Sequence, residues 1–550
     1  MDDITILSRK HEKMREVLCR LEELIKWARM KFKAKKSRSL TLVKGRQVET
    51  KFSIAGETMP TLKEEPVKSL GRVYHGTLNN RSEGIRIQAI AEDGLDKIEK
   101  SLLPGIFKIW CLQFVLMIKL LWPLTIYEVA VSRVNIIQQK MNLKIRNWLG
   151  LPRMFVTAGL YKNKCPLQLP FPSIVDLYKF GKIRHVLTFR ETSDDVIRFS
   201  PPDIRTGRKW KAEEETDVII SNLKHRDIVG AVQTSREGLG NAAFKPFSCM
   251  NRKERRKEIV LTAKNDEERK RHNQLVQCSQ QGQCTAWEDE VIKREIKWSH
   301  LWKWPAHRYQ FLIKSTFDMM PTPSNLFKWK IATNDKCTCG GKGTLFHILS
   351  NCPLGLTHRF TWRHNQVLKI MADAIKAKIV EINNGSKPKV KDLKQPVSFH
   401  KEGKPFKTTK ERLIDDPDWR GHWSVVVDLA NEHYELPIET TKRPDFAIYC
   451  TERKVLKCFE LTVCWETGME AARLRKEERY ASLLKICEEQ GWTATCLPFE
   501  VGVRGFVGKR THSLLKQFGF SRLESSKLVK SIEETVENAS RFIWNKKDVA

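Results

Sequence analysis

The chain is expected to fold as an α+β protein of several domains: helical regions over its first 300 residues, a small Cys/His knuckle, and a mixed α/β domain toward its end. Three observations predict this. At 550 residues it is too long for one hydrophobic core, and three or four domains are the expectation. Apolar residues at helical spacing, or dense mixed-charge runs, occupy most of the first 300 positions. From about 400 to 525, short apolar runs alternate with turn residues around a single helix.

The first element is the opening "MDDITILSRK", where Asp2 and Asp3 form a carboxylate pair suited to divalent-metal chemistry. Residues 11–30 then put Val17, Leu21, Leu24 and Ala28 at helical spacing, which predicts an amphipathic helix. Basic residues dominate Arg29–Arg46, with no acid among them. "KSLGRVYHG" at 68–76 reads as a turn with a short strand, and 81–150 reads as helical. Within it, "GIFKIWCLQFVLMIKLLWPLTIYEV" (105–129) is the most apolar run. Lys108 and Lys119 are eleven residues apart, and at about 100° per residue they share a face. The expectation is an amphipathic helix ended by Pro123, not a membrane span. Residues 205–300 hold two mixed-charge segments expected as solvated helices, followed by a Trp-rich stretch with Trp298, Trp302 and Trp304. No internal repeat is visible.

A formal net charge of +33 favours a polyanionic partner, nucleic acid first. A basic ribosome-associated protein would carry a similar excess. The 14 Cys follow no secretory framework, and the first thirty residues lack a signal-peptide pattern, so a reducing interior is expected.

"CTCGGKGTLFHILSNC" supplies Cys337, Cys339, His347 and Cys352. Three thiolates and one imidazole make a tetrahedral Zn²⁺ set, and a site closed by four protein ligands is structural. Gly340, Gly341 and Gly343 permit the tight loop, with His347 and Cys352 at the two ends of a short helical turn. The bland alternative is a turn holding free thiols.

"RPDFAIYCTERKVLKCFELTVCWE" carries the sharpest constellation. Asp445 starts the apolar strand "FAIYC", "TERK" makes a turn, and "VLKCFELTV" returns antiparallel with Glu460 in it. Two carboxylates side by side on adjacent strands can hold Mg²⁺, and such a metal activates water for attack on phosphate. The following helix puts Lys476 and Tyr480 on one face, four residues apart. Many nucleases carry the lysine two residues after the second acid; here Thr462 stands there. Taken singly, each residue also fits a plain hairpin and a solvated helix.

Together, "RPDF", "FELTVCWE", "RKEERY" and "GVRGFVG" resemble the restriction-like endonuclease domain of non-LTR retrotransposon proteins, of PD-(D/E)xK type. The resemblance implies that Asp445, Glu460 and Lys476 form a cleavage site, with Tyr480 shaping it. "CTCG", "TLFHILSNC" and "RFTWRHNQVL" resemble the zinc knuckle preceding that domain, although the Cys-x-Cys spacing departs from the commoner form. "LLWPLTIYEV", "WLGLPR" and "LQLPFPSIVDLYKFGKIRHVLTFR" resemble the reverse transcriptase thumb, "VKSLGRVY" the primer grip, and "MDD" the two-aspartate turn of the palm.

The resemblance divides the chain into a palm remnant (1–80), thumb (81–200), charged helical linker (201–300), linker and zinc-knuckle region (301–375), restriction-endonuclease-like domain (400–525) and C-terminal tail (526–550). It implies nicking of a chromosomal DNA target for target-primed reverse transcription of retroelement RNA, in the nucleus, with structural Zn²⁺ and catalytic Mg²⁺. Polymerase chemistry is expected only if a longer gene supplies the fingers and the third aspartate. The alternative of another class is a nucleic-acid-binding remnant without catalysis.

Overall fold

A computed structural model describes residues 4–69, 71–76, 81–163, 165–199, 201–202, 204–229, 245–384, 421–430 and 432–547. Asp2 and Asp3 lie outside these residues. The chain divides into two compact units built from separated stretches: 1–144, 173–222 and 256–260 in the first, 145–172, 223–255 and 261–550 in the second.

The first unit begins with the helix His11–Trp27. Its inward face is Met14, Leu18, Leu21 and Ile25, whereas Val17 and Leu24 are exposed. The expected stripe is thus rotated, because Leu18 packs with Ala34, Phe52, Ile54 and Met59. Three short hairpins follow, at 41–48, 53–58 and 67–74. Lys44–Gly45 and Ala55–Gly56 both have positive φ, the backbone that a two-residue hairpin turn of matching twist requires.

The apolar run forms one continuous helix from Gly105 to Ile126, long and apolar enough by length and composition to cross a membrane. Ile106, Ile109, Leu112, Leu116, Leu120 and Leu124 are buried, while Phe107, Trp110, Phe114, Ile118 and Trp122 are exposed. Two expectations change here. A π turn at 112–116 shifts the helical phase between the lysines, so Lys108 reaches the Glu99 carbonyl at 2.7 Å while Lys119 is exposed. The helix also continues past Pro123. Near a helix end proline costs only one hydrogen bond, the one its missing N–H would give the Lys119 carbonyl, and the Thr125 hydroxyl adds a bond of its own to the Leu121 carbonyl at 2.7 Å.

In the second unit the elements that matter are α1 (Thr361–Asn383), β1 (Ser424–Val427), β2 (Phe446–Cys450), β3 (Val455–Cys464), α2 (Met469–Glu489), β4 (Thr493–Gly502), α3 (Arg510–Gln517) and α4 (Arg522–Asn545). The sheet order is β4-β3-β2-β1. β1/β2 and β2/β3 pair antiparallel, and β3/β4 pair parallel, with α2 as the crossover a parallel pair needs. This is the mixed α/β arrangement expected for the region.

Side-chain alternation splits the sheet into two faces. Phe446, Ile448, Phe459, Leu461 and Phe499 join a core completed by Val367, Met371 and Ile375 of α1 and by Leu528, Ile532 and Val536 of α4. Ala447, Leu456 and Cys458 face Tyr480, Leu483 and Cys487 of α2. The expected limits of 400–525 are therefore too narrow. Residues 526–545, expected as a tail, continue α4 with its apolar side buried. The eight-residue α3 cannot by itself cover the first sheet face, and α1 and α4 supply the missing apolar area.

Candidate metal centres

The hairpin brings Asp445 and Glu460 opposite each other, one step beyond the last ladder pair Phe446–Phe459. Each carboxylate takes a backbone donor from the other strand. The Asp445 N–H donates to Glu460 Oε1 at 3.1 Å, and the Leu461 N–H donates to Asp445 Oδ2 at 2.7 Å. Glu460 is 1% exposed, so its charge needs compensation. Lys476 provides it: Nζ sits 2.5 Å from Glu460 Oε2. Burial raises the Glu460 carboxyl above its ordinary range, the Asp445 charge adds to this, and Lys476 and Tyr480 partly reverse it.

Two tyrosines fix the approach to Asp445. The Tyr480 hydroxyl donates to the Arg443 carbonyl at 3.2 Å, and the Tyr434 hydroxyl donates to the Pro444 carbonyl at 2.9 Å. Tyr480 is 2% exposed, and burial, with Glu460 next, pushes its phenol far up. It stays neutral and donates. The structure thus brings together four residues singled out in the sequence: Asp445, Glu460, Lys476 and Tyr480.

Three further groups were not singled out. His364 of α1 has Nε2 3.4 Å from Asp445 Oδ2 and 3.3 Å from the Leu461 carbonyl oxygen. Burial, the largest single influence, opposes its charging, but Asp445, Asn365 and the Leu461 carbonyl together outweigh it and the imidazole pKa is raised. Tyr434 lies ten residues before Pro444, with Arg443 stacked on its ring at 4.5 Å. Glu500, on the α2 face of β4 opposite Thr462, is buried with Oε1 unpaired. Burial lifts its carboxyl to about 7, despite Arg473 and Arg510 nearby. None has a local sequence signal; all three depend on strand order and helix docking.

The Cys/His cluster also assembles. One donor atom each from Cys337, Cys339, His347 and Cys352 lies within 4.8 Å of all the others. Cys339 Sγ is 3.1 Å from His347 Nε2. Ligands about 2.0–2.3 Å from a tetrahedral Zn²⁺ stand about 3.5 Å apart, so the four groups could close on one ion with small shifts. The loop depends on two glycines. Gly340 has φ +84°, and a Cβ at Gly341 would meet His347 Cε1 at 3.0 Å. His347 begins the π turn that ends at Asn351, and Cys352 follows directly. Burial keeps His347 low, hence neutral and able to ligate, and pushes the Cys352 thiol up to about 11.

The tryptophans separate. Trp298 packs edge-on against Phe171 with centroids 5.6 Å apart. Trp304 lies stacked on His300, with the Arg308 guanidinium 4.0 Å from its ring, while Trp302 is 53% exposed. Of the three, Trp302 alone is exposed, and Trp298 and Trp304 are half-buried. No protein-family model matches the chain, and no curated protein matches it.

Proposed function

We propose that this is a nucleic-acid-binding protein of retroelement type that nicks DNA at the Asp445–Glu460–Lys476 site with Mg²⁺. The observation that carries this reading is the reciprocal clasp of the two carboxylates with Lys476 closed on Glu460. Such a donor set suits a hard divalent cation, for which oxygen ligands are preferred. Asp445 and Glu460 would hold the Mg²⁺, which when bound lowers the pKa of water and offsets phosphate charge. Lys476 keeps an ammonium beside the reacting phosphate, where negative charge grows. Tyr480 and Tyr434 hold the Arg443–Pro444 backbone so that Asp445 keeps its angle. The net charge of +33 supports phosphate contacts with a DNA target and with retroelement RNA, and nuclear action follows from that target. Structural Zn²⁺ in the Cys337, Cys339, His347 and Cys352 cluster would rigidify the chain leading into α1.

A supercoiled-plasmid nicking assay with Mg²⁺ tests the reading. Wild-type protein is expected to nick, and Asp445→Ala to lower the rate by at least about 10²-fold. Nicking that survives the substitution would remove Asp445 from the mechanism. No nicking by wild type, with salt-sensitive binding retained, would leave the non-catalytic reading.

A further inference from the structure

His364 sits just past the knuckle, on the first turn of α1, and reaches the carboxylate site from the sheet face opposite α2. Its Nε2 faces two oxygens at once, Asp445 Oδ2 at 3.4 Å and the Leu461 carbonyl at 3.3 Å. Both distances are long for a hydrogen bond from a ring N–H. They are close to the separation of about 3 Å between neighbouring donors around a cation with bonds of about 2.1 Å. The backbone explains why the Leu461 carbonyl is open on this side. Continuing the β2–β3 register puts Pro444 opposite Leu461, and proline has no N–H to donate. The Leu461 N–H on the same edge is taken by Asp445 Oδ2. The other ring nitrogen, Nδ1, lies 3.1 Å from Asn365 Oδ1, which anchors the ring from its far side. A cation seated between the two oxygens would take the place of the ring proton that Nε2 otherwise turns toward them.

We propose that His364 Nε2 is a direct ligand of the divalent cation at the Asp445–Glu460 site. This rests on the reading of that site as a metal centre and deepens it by changing the cation class. An imidazole donor raises affinity for Mn²⁺ and later first-row ions relative to Mg²⁺, which favours all-oxygen shells. The site is thus matched to a first-row transition ion such as Mn²⁺, with Mg²⁺ a weaker occupant.

The test is Mn²⁺ binding to the zinc-replete full-length chain, followed by loss of the free-ion EPR signal, with pulsed EPR of the bound ion reporting directly coordinated ¹⁴N. Wild type is expected to bind Mn²⁺ with an imidazole ¹⁴N coupling. His364→Ala should lose the coupling and bind Mn²⁺ about tenfold or more weaker, with a smaller change for Mg²⁺. His364→Gln, which keeps the bulk of the side chain, should lose the coupling while staying folded. Mn²⁺ bound in an Asp445-dependent way without ¹⁴N coupling, or with equal affinity in His364→Ala, overturns the ligand assignment and leaves the metal centre standing. Mn²⁺ that fails to bind, or binds Asp445→Ala equally well, overturns the metal centre itself and the histidine assignment with it.

Discussion

Arg504→Met tests what the "GVRGFVG" segment does. Arg504 is 2% and Glu466 0% exposed at the side chain. The guanidinium Nε donates to Glu466 Oε2 at 2.8 Å, the Arg504 backbone N–H donates to Oε1 at 3.0 Å, and Nη1 donates to the Ser315 carbonyl at 3.2 Å. Trp287 and Trp465 flank the cation at 4.5 and 4.1 Å. Methionine fills the slot between the indoles but strands a buried carboxylate, which costs about 3–5 kcal/mol. With a urea dependence of about 2 kcal/mol per molar, the midpoint should fall by about 2 M. Equilibrium unfolding followed by tryptophan fluorescence reads this directly, since two reporters touch the pair. Adding Glu466→Gln should return at least about 1 kcal/mol, because the stranded charge is gone. Gly502→Ala should weaken the same clasp, as a Cβ there would sit 2.4 Å from Glu466 Oε1. A midpoint shift below about 0.5 M for Arg504→Met would refute the reasoning. Arg504 contacts Glu466, Ser315 and the indoles, not Asp445, Glu460 or Lys476, so a variant kept folded should keep any nicking.

Cys339→Ser should lower bound zinc from about one per chain toward none by elemental analysis, and should open 337–352 to proteolysis. Burial lifts Glu533 from an ordinary 4.5 to about 7, against the pull of Arg294. The folded state therefore holds a proton that the unfolded chain releases, and stability should fall between pH 4.5 and 7 by on the order of 3 kcal/mol. Glu533→Gln should flatten that slope in thermal unfolding scans across the range. Lys476→Ala should lower nicking by about 10²-fold, and adding Thr462→Lys should recover at least about tenfold, because Thr462 shares the sheet face of Glu460. A folded double variant with no recovery would show that the lysine's position, not its charge, is what matters.

The hairpin was legible in the sequence because its signals are local. Two apolar runs, a charged turn at "TERK" between them, and an acid at the head of one run and inside the other mark it within a short stretch. The Cys/His cluster was legible for the same reason, since four donors and three glycines fall within one short run. What the sequence withheld depends on docking. His364 meets Asp445 only because α1 covers one sheet face, and Glu500 comes near only because β4 pairs parallel to β3. The expected boundary at 525 falls inside α4, whose Leu528, Ile532 and Val536 return to the sheet core, a contact that depends on docking. The phase of the 105–126 helix was misread because a π turn leaves no mark in apolar spacing.

The absence of a lysine two residues after Glu460 is where local pattern and three-dimensional geometry part. A strand lysine at that position would lie on the α2 face, where alternation puts Leu456, Cys458 and Glu460. The inward side of α2 runs Ala472, Lys476, Tyr480 and Leu483, steps of three and four that keep one stripe over that face. A lysine on this stripe therefore reaches the same carboxylate from above that a strand lysine would reach from beside it, and Nζ does so at 2.5 Å. The parallel pairing of β3 and β4 requires a long crossover, and α2 is that crossover. With the cation carried by that crossover helix, the strand position opposite Glu500 is filled by the smaller, uncharged Thr462.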